Sequence, residues 1–141
     1  MRLHLVAAAA LLATLAGCAT APPPQAASGK PKNIIFFLGD GMGINTLTAA
    51  RIYSVGEEGQ LTLDTLPESA FVKTFSNDAQ VTDSAASMTA YMTGVKANNG
   101  VISMNGGSAA PTLAELAKQR GMAAGVVTTT RVTDATPAAT Y

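Results

Sequence analysis

The sequence is poor in the residues from which most metal and catalytic sites are built. Of its 141 residues one is cysteine, Cys18, and one is histidine, His4. A lone cysteine excludes an internal disulfide framework. A lone histidine leaves no imidazole pair for zinc and no local base for a serine nucleophile. Lys plus Arg and Asp plus Glu number 9 each, and no basic run appears. That balance argues against nucleic acid as a partner. Long apolar runs are scarce as well. The main one, Leu5 to Ala16, is too short and too Ala-rich for a membrane-spanning helix.

What is there begins with that run. Met1, Arg2 and His4 give it a short basic start, so residues 1–17 read as a secretory signal. It ends in Leu15-Ala16-Gly17-Cys18, which resembles a bacterial lipobox. In that motif the peptidase cuts before the cysteine and the thiol carries diacylglycerol. The plainer alternative is an ordinary Ala-rich signal cleaved within Ala19-Thr20-Ala21, with an incidental Cys18. Ala19 in place of Asp favours, by the same resemblance, the outer membrane over the inner one. The expectation is a chain exported to the periplasmic side and held to the membrane through lipid on Cys18. Residues 18–32, with Pro22-Pro23-Pro24 at their centre, read as an extended tether. Residues 33–141 remain for one folded region.

Ile34-Ile35-Phe36-Phe37-Leu38 is an unbroken apolar run closed by glycines, the pattern of a strand covered on both faces. A helical pattern follows, with Ile44, Leu47, Arg51 and Val55 on one face and Gly56 ending it. Ala70 to Ser76 reads as a second strand. Thr82 to Gly94 reads as a helix with Met88, Tyr91, Met92 and Val95 at i, i+3, i+4 and i+7. Thr112-Leu113-Ala114-Glu115 has capping-box spacing, while Pro111 also suits a first helical position. Leu113, Leu116 and Ala117 would form that helix's inner face, closed by Gly121, and Ala123 to Thr128 reads as a third strand. Strand, helix, helix, strand in this order implies an α/β layer with parallel strands.

Ligands of open α/β sheets bind outside the carboxyl ends of the strands, and three polar clusters fall there. Asp40, between Gly39 and Gly41, is a carboxylate at the sheet rim. It suits a hard cation, or equally the cap of a helix in a Gly-rich turn. Thr82-Asp83-Ser84-Ala85-Ala86-Ser87 opens a helix with small residues. Its free N–H groups favour an oxyanion or phosphate, but plain N-capping by Thr82 or Asp83 is the commoner use of such a sequence. Thr133-Asp134-Ala135-Thr136-Pro137 places two oxygens two residues apart. In an extended segment both would face one cation, although a turn before a helix reads at least as well. The glycine spacing after Leu38 matches neither a phosphate loop nor a dinucleotide fingerprint.

Gly39-Asp40-Gly41-Met42-Gly43, then Val81 to Ser87, then Asp134-Ala135-Thr136-Pro137-Ala138-Ala139 together resemble the alkaline phosphatase family in content, order and spacing. The likeness runs from Asn33 to Tyr141, through Tyr91-Met92-Thr93-Gly94-Val95-Lys96 and Pro111 to Ala117. It implies an α/β fold with a central, mostly parallel sheet flanked by helices, of which this is the N-terminal part. It also implies hydrolysis of phosphate monoesters through a phosphoserine, with two Zn²⁺ and one Mg²⁺ as cofactors. Under that resemblance Ser84 is the nucleophile, and Asp83 beside it orients the phosphate-binding groups. Asp40 bridges a zinc and the magnesium. Thr136 ligates the magnesium, and Asp134 holds that site directly or through water. Some members carry His at the position of Asp134, and the Asp resembles the bacterial type. Dimers are common in the family.

The chemistry suits this assignment, because phosphoryl transfer needs mainly positioning and charge neutralisation. The histidines of a zinc pair are nonetheless missing, since His4 lies in the segment removed on export. The remaining ligands and a phosphate-clamping Arg are expected after Tyr141. Arg131 precedes Asp134 and is on the wrong side of the motif for that clamp. A phosphodiesterase or sulfatase of the same superfamily, or a non-catalytic surface lipoprotein, are the competing readings. Ser84 in its Asp-Ser-Ala-Ala setting favours the monoesterase over the first. We expect residues 33–141 alone to fold poorly, with sheet edges uncovered, and to be inactive. Turnover by purified 33–141 that is abolished by Ser84→Ala would overturn this.

Overall fold

In the computed structural model of the chain, residues 32–141 are described. The expected signal segment 1–17, the expected lipidation position Cys18 and nearly all of the expected 18–32 tether lie outside the described residues. Among those described, no helix is long and apolar enough to cross a membrane. The chain divides after Phe37. Residues 32–37 lack regular secondary structure, and every element described below belongs to Leu38–Tyr141.

Helix α1 spans Ile44–Val55 and stops at Gly56 as its sequence requires, but none of its residues is buried. A 3-10 turn, Thr62–Thr65, follows. Arg51 forks onto Asp64 there, its Nε 2.8 Å from Oδ2 and its Nη2 2.5 Å from Oδ1. The guanidinium, with help from the Leu61 N–H, holds the Asp64 carboxyl down to about 2.

Helix α2, Ser84–Thr93, is the centre of packing. Asp83 starts it by accepting the Ala86 N–H, and left-handed Gly94 ends it. Ala85, Ala86, Met88, Thr89 and Met92 are buried, so small residues and two methionines make the inner face. Tyr91, expected on that face, is exposed. The buried stripe runs through Thr89 instead, because Ala85, Met88, Thr89 and Met92 share the i, i+3, i+4, i+7 spacing. Met88 and Met92 form the apolar core with Ala139, which follows the short helix α4, Ala135–Ala138. Helix α3, Leu113–Gln119, also packs on α2. The Thr112–Glu115 capping box forms in both directions, at 3.2 and 2.8 Å. Ala114, not Leu113, is its buried residue.

The sheet differs from expectation. The only paired strands among the described residues are β1, Met104–Asn105, and β2, Ser108–Ala109, an antiparallel hairpin pairing Met104 with Ala109. Its turn is Gly106-Gly107, both at positive φ, the two-residue loop that left-handed residues make easily. The three expected strands, 34–38, 70–76 and 123–128, carry no ladder. Their side chains stand open, Phe71 at 91% and Val127 at 100% exposure. A strand is completed only by neighbours that take its N–H and C=O groups in a ladder, and among the described residues that ladder forms only between β1 and β2. The apolar pattern was readable, the pairing was not.

Thr89 ties the hairpin to α2. Its hydroxyl, fully buried, donates to Val101 O at 3.2 Å and accepts the Ser103 N–H at 2.9 Å. Ser103, at φ 50, in turn donates from its hydroxyl to Ala139 O at 3.4 Å. Thr89→Val keeps the shape but leaves the Ser103 N–H and Val101 carbonyl unmatched. It should cost about 1–3 kcal/mol, read as a lower urea midpoint at unchanged m-value.

Candidate active site

Asp40 lies in the turn that precedes α1, where the Met42 N–H donates to Gly39 O at 3.3 Å. Gly41 stands at φ 65, a backbone conformation costly for other residues. The turn leaves Asp40 exposed. Ser84 is the first residue of α2, aimed outward beside buried Ala85 and Ala86. Thr136 belongs to α4. These three come together from sequence separations of 44 and 96 residues. Ser84 Oγ donates to Asp40 Oδ2 at 2.9 Å, and Thr136 Oγ1 donates to the same oxygen at 2.6 Å.

The two hydroxyls stabilise the ionised carboxylate. Asp40 is held below its ordinary value, first by Thr136 and then by Ser84, against a smaller opposing effect of desolvation. A carboxylate so held is a poor base, and it cannot take the Ser84 proton to any useful extent. It is well suited to hold a cation. Three converging oxygens are a donor set for a hard cation such as magnesium. A zinc pair is a different matter. Among the described residues there is no histidine, and no group of three or more His, Cys, Asp or Glu that could hold a metal. The described residues therefore do not fit a zinc site by themselves.

Asp83 and Asp134 do not join this cluster. Both Asp83 carboxylate oxygens are taken by backbone N–H groups, Oδ1 by Ala86 at 2.8 Å and Oδ2 by Gly100 at 2.6 Å. Asp134 is engaged by Arg131, with Nε at 3.1 Å and Nη2 at 3.0 Å from Oδ1. The idea that Asp134 and Thr136 face one way presupposed an extended segment. Residues Ala135–Ala138 are helical instead, and two helical steps rotate a side chain by about 200°. Thr136 reaches Asp40 from the helix while Asp134 stays at its mouth.

Sequence reasoning passed over the residues that hold Ser84's helix in place. Residues 75–83 and 96–100 are bound along their length. Asn77 donates to Ala97 O and Lys96 O, Asp78 accepts from Ser76 and from the Asn99 N–H, and Asn99 bonds Val81 and Asp83. Lys96 donates to Phe75 O and lies over the Phe75 ring, 3.5 Å from its centroid. The one advance signal was the turn cluster Asn98-Asn99-Gly100.

A nucleophile-type serine on a capped helix, donating to an ionised carboxylate from a Gly-Asp-Gly turn, can be compared with known proteins. The family model for alkaline phosphatase matches residues 31–141. The chain belongs to the alkaline phosphatase family. It is 46% identical over 127 residues to the tissue-nonspecific alkaline phosphatase of Gallus gallus, covering 78% of this chain and 24% of that protein. It is 45% identical over 129 residues to the alkaline phosphatase of Gadus morhua, covering 79% and 27%. The streptomycin-6-phosphate phosphatase of Streptomyces griseus is 42% identical over 142 positions, covering 96% of this chain and 32% of that protein. The chain thus spans about a quarter of the length of the first two relatives. The family is α/β in fold and generally dependent on zinc and magnesium.

Since Thr136 contributes most to the acidity of Asp40, Thr136→Val should raise the Asp40 pKa further than Ser84→Ala does. Carboxyl-carbon NMR titration reads both. The stabilisation tied to these bonds is present above the ordinary value of about 3.8. It is lost as pH falls through the lower folded value. An equal or reversed order would contradict this account.

Proposed function

We propose that this chain is the nucleophile-bearing portion of an enzyme that hydrolyses phosphate monoesters through a phosphoserine at Ser84. The observation that carries the reading is the convergence of Asp40, Ser84 and Thr136 on one oxygen, at 2.9 and 2.6 Å. The relatives named as alkaline phosphatases support it, as does the streptomycin-6-phosphate phosphatase. Ser84 Oγ attacks phosphorus, forming the Oγ–P bond as the bond to the leaving alcohol oxygen breaks. The serine proton passes by way of solvent to the departing alkoxide. Water then attacks the phosphoserine, the Oγ–P bond breaks, phosphate leaves and Oγ regains a proton.

In this chain Asp40 accepts the Ser84 hydrogen bond and so orients Oγ. The first turn of α2 turns its N–H groups toward the site, where they favour an anionic phosphoryl group. Asp83 sets the direction of that turn. Asp40, Thr136 and Ser84 are the oxygen donors that would hold a hard cation such as the magnesium of the family, with Asp134 at the mouth of α4 assigned to that site directly or through water. The two zinc ions of the family need ligands that the described residues do not supply. When bound, the magnesium would supply charge neutralisation for the transferring phosphoryl group. In the same proposal the apolar segments 34–38, 70–76 and 123–128 are strands of a central, mostly parallel sheet. The protein is exported, and lipid on Cys18 holds it at the periplasmic side, in the outer membrane. A homodimer is the assembly to test for.

The test uses the full-length protein with p-nitrophenyl phosphate. Ser84→Ala should lower turnover on the order of 10³-fold or more. Acid quenching of the wild type should leave phosphate on the peptide that carries Ser84. Turnover that survives Ser84→Ala would sink the reading, and a wild type without activity would favour a non-catalytic lipoprotein.

A further inference from the structure

Ser84 is aimed by the residue before it, and Asp83 is held from an unexpected direction. Its backbone N–H donates to Asn99 Oδ1 at 3.1 Å. Asn99 Nδ2 donates to Val81 O at 3.0 Å, so one amide spans the approach to the helix from 81 to 83. The orientation of that amide is decided by chemistry: only its oxygen can meet an N–H, and only its nitrogen can meet a carbonyl. The return bond comes from the next residue, with the Gly100 N–H donating to Asp83 Oδ2 at 2.6 Å. Asn99 is itself anchored, its N–H donating to Asp78 Oδ1 at 2.9 Å. Asp78 is held below its ordinary pKa, by that N–H first and by the Ser76 hydroxyl second.

We infer that Asn99 is a positioning residue for the reaction, fixing Ser84 against Asp40 through the Asp83 backbone and cap. This rests on the reading of Ser84 as the nucleophile. The Asp83 N–H precedes the helix and has no place in its hydrogen-bond ladder, so without Asn99 it has only water as a partner. Without that bond the approach segment can pivot more freely about Asp83, whose φ and ψ of −99° and 179° are extended and carry no strain. A pivot there moves Ser84 Oγ directly, because Ser84 is the first helical residue. Asn99 forms no hydrogen bond to Ser84 or Asp40, so its effect passes through Asp83 and the approach segment from Val81 that it spans.

A double-mutant cycle in the full-length protein tests this, using p-nitrophenyl phosphate and Ser84→Ala as control. Asn99→Ala should lower kcat by roughly 10- to 100-fold with little change in KM, because placement of the nucleophile is lost and not substrate binding. An Asp83→Ala background keeps the backbone N–H bonded to Asn99 but loses the carboxylate bonds to Ala86 and Gly100. Adding Asn99→Ala there should cost less than it does alone, because the aim of Ser84 is already loosened. Hydrogen exchange of the 81–87 peptide should quicken while that of α1 stays unchanged. Should Asn99→Ala accelerate exchange throughout, Asn99→Ser replaces it: this turn-compatible side chain is too short to span Val81 and Asp83, and the same loss and non-additivity are expected. Unchanged kcat, or effects of Asn99 and Asp83 that add, would overturn the inference while Ser84→Ala remains dead. Activity surviving Ser84→Ala would instead overturn the reading on which it rests.

Discussion

A helix that carries a reactive group on its first residue has no earlier turn to steady that group. Its direction is set by the cap. Here the cap is Asp83, and its carboxylate has two obligations: one oxygen stops the Ala86 N–H from being orphaned, the other holds Gly100. Through the first, α2 begins at Ser84 and not a residue to either side. Through the second, the helix is fastened to the 96–100 loop. A shift in either bond would move the hydroxyl relative to Asp40 and would also disturb the buried face from Ala85 to Met92 on which α3 and α4 rest and to which Val101 and Ser103 are bonded.

In the proposed reading, the capping role and the functional role of this segment are the same role. Capping by Thr82 or Asp83 was the plainer reading of Thr82-Asp83-Ser84, and the structure has Asp83 as the cap. The nucleophile reading does not compete with it. The backbone donors that Asp83 engages are what turn Ser84 outward toward Asp40 and Thr136. The small side chains of Ala85 and Ala86 serve both ends too. They let α2 pack closely, and they keep bulk away from the serine.

Other parts of the unit stand in contrast. Helix α1 buries nothing, and the apolar segments 70–76 and 123–128 present aromatic and branched side chains to solvent. Such surfaces carry a cost that packing normally removes. The buried residues cluster in the helix that carries Ser84 and in the short stretches packed on it, around Thr112–Ala114 and Pro137–Ala139. Order in this unit is concentrated around the candidate site.

Much of this was open to reading from residue order alone. Helix starts and stops depend on short-range chemistry, so Asp83, Thr112 with Glu115, Gly56 and Gly94 declared their roles in advance. Asp40, Ser84 and Thr136 were singled out from their motifs and the family resemblance those carry, and the structure adds that they lie together. The sequence by itself determined which hydroxyls and which carboxylate would be offered, and on which turns. Tertiary structure alone decided that both hydroxyls meet one oxygen of Asp40 and that Asn99 reaches back to Asp83. Those choices depend on contacts between segments up to 96 residues apart, and no local propensity encodes the distance between two such segments. Strand pairing falls on the same side of the line, since a strand's hydrogen bonds belong to its neighbours and not to itself.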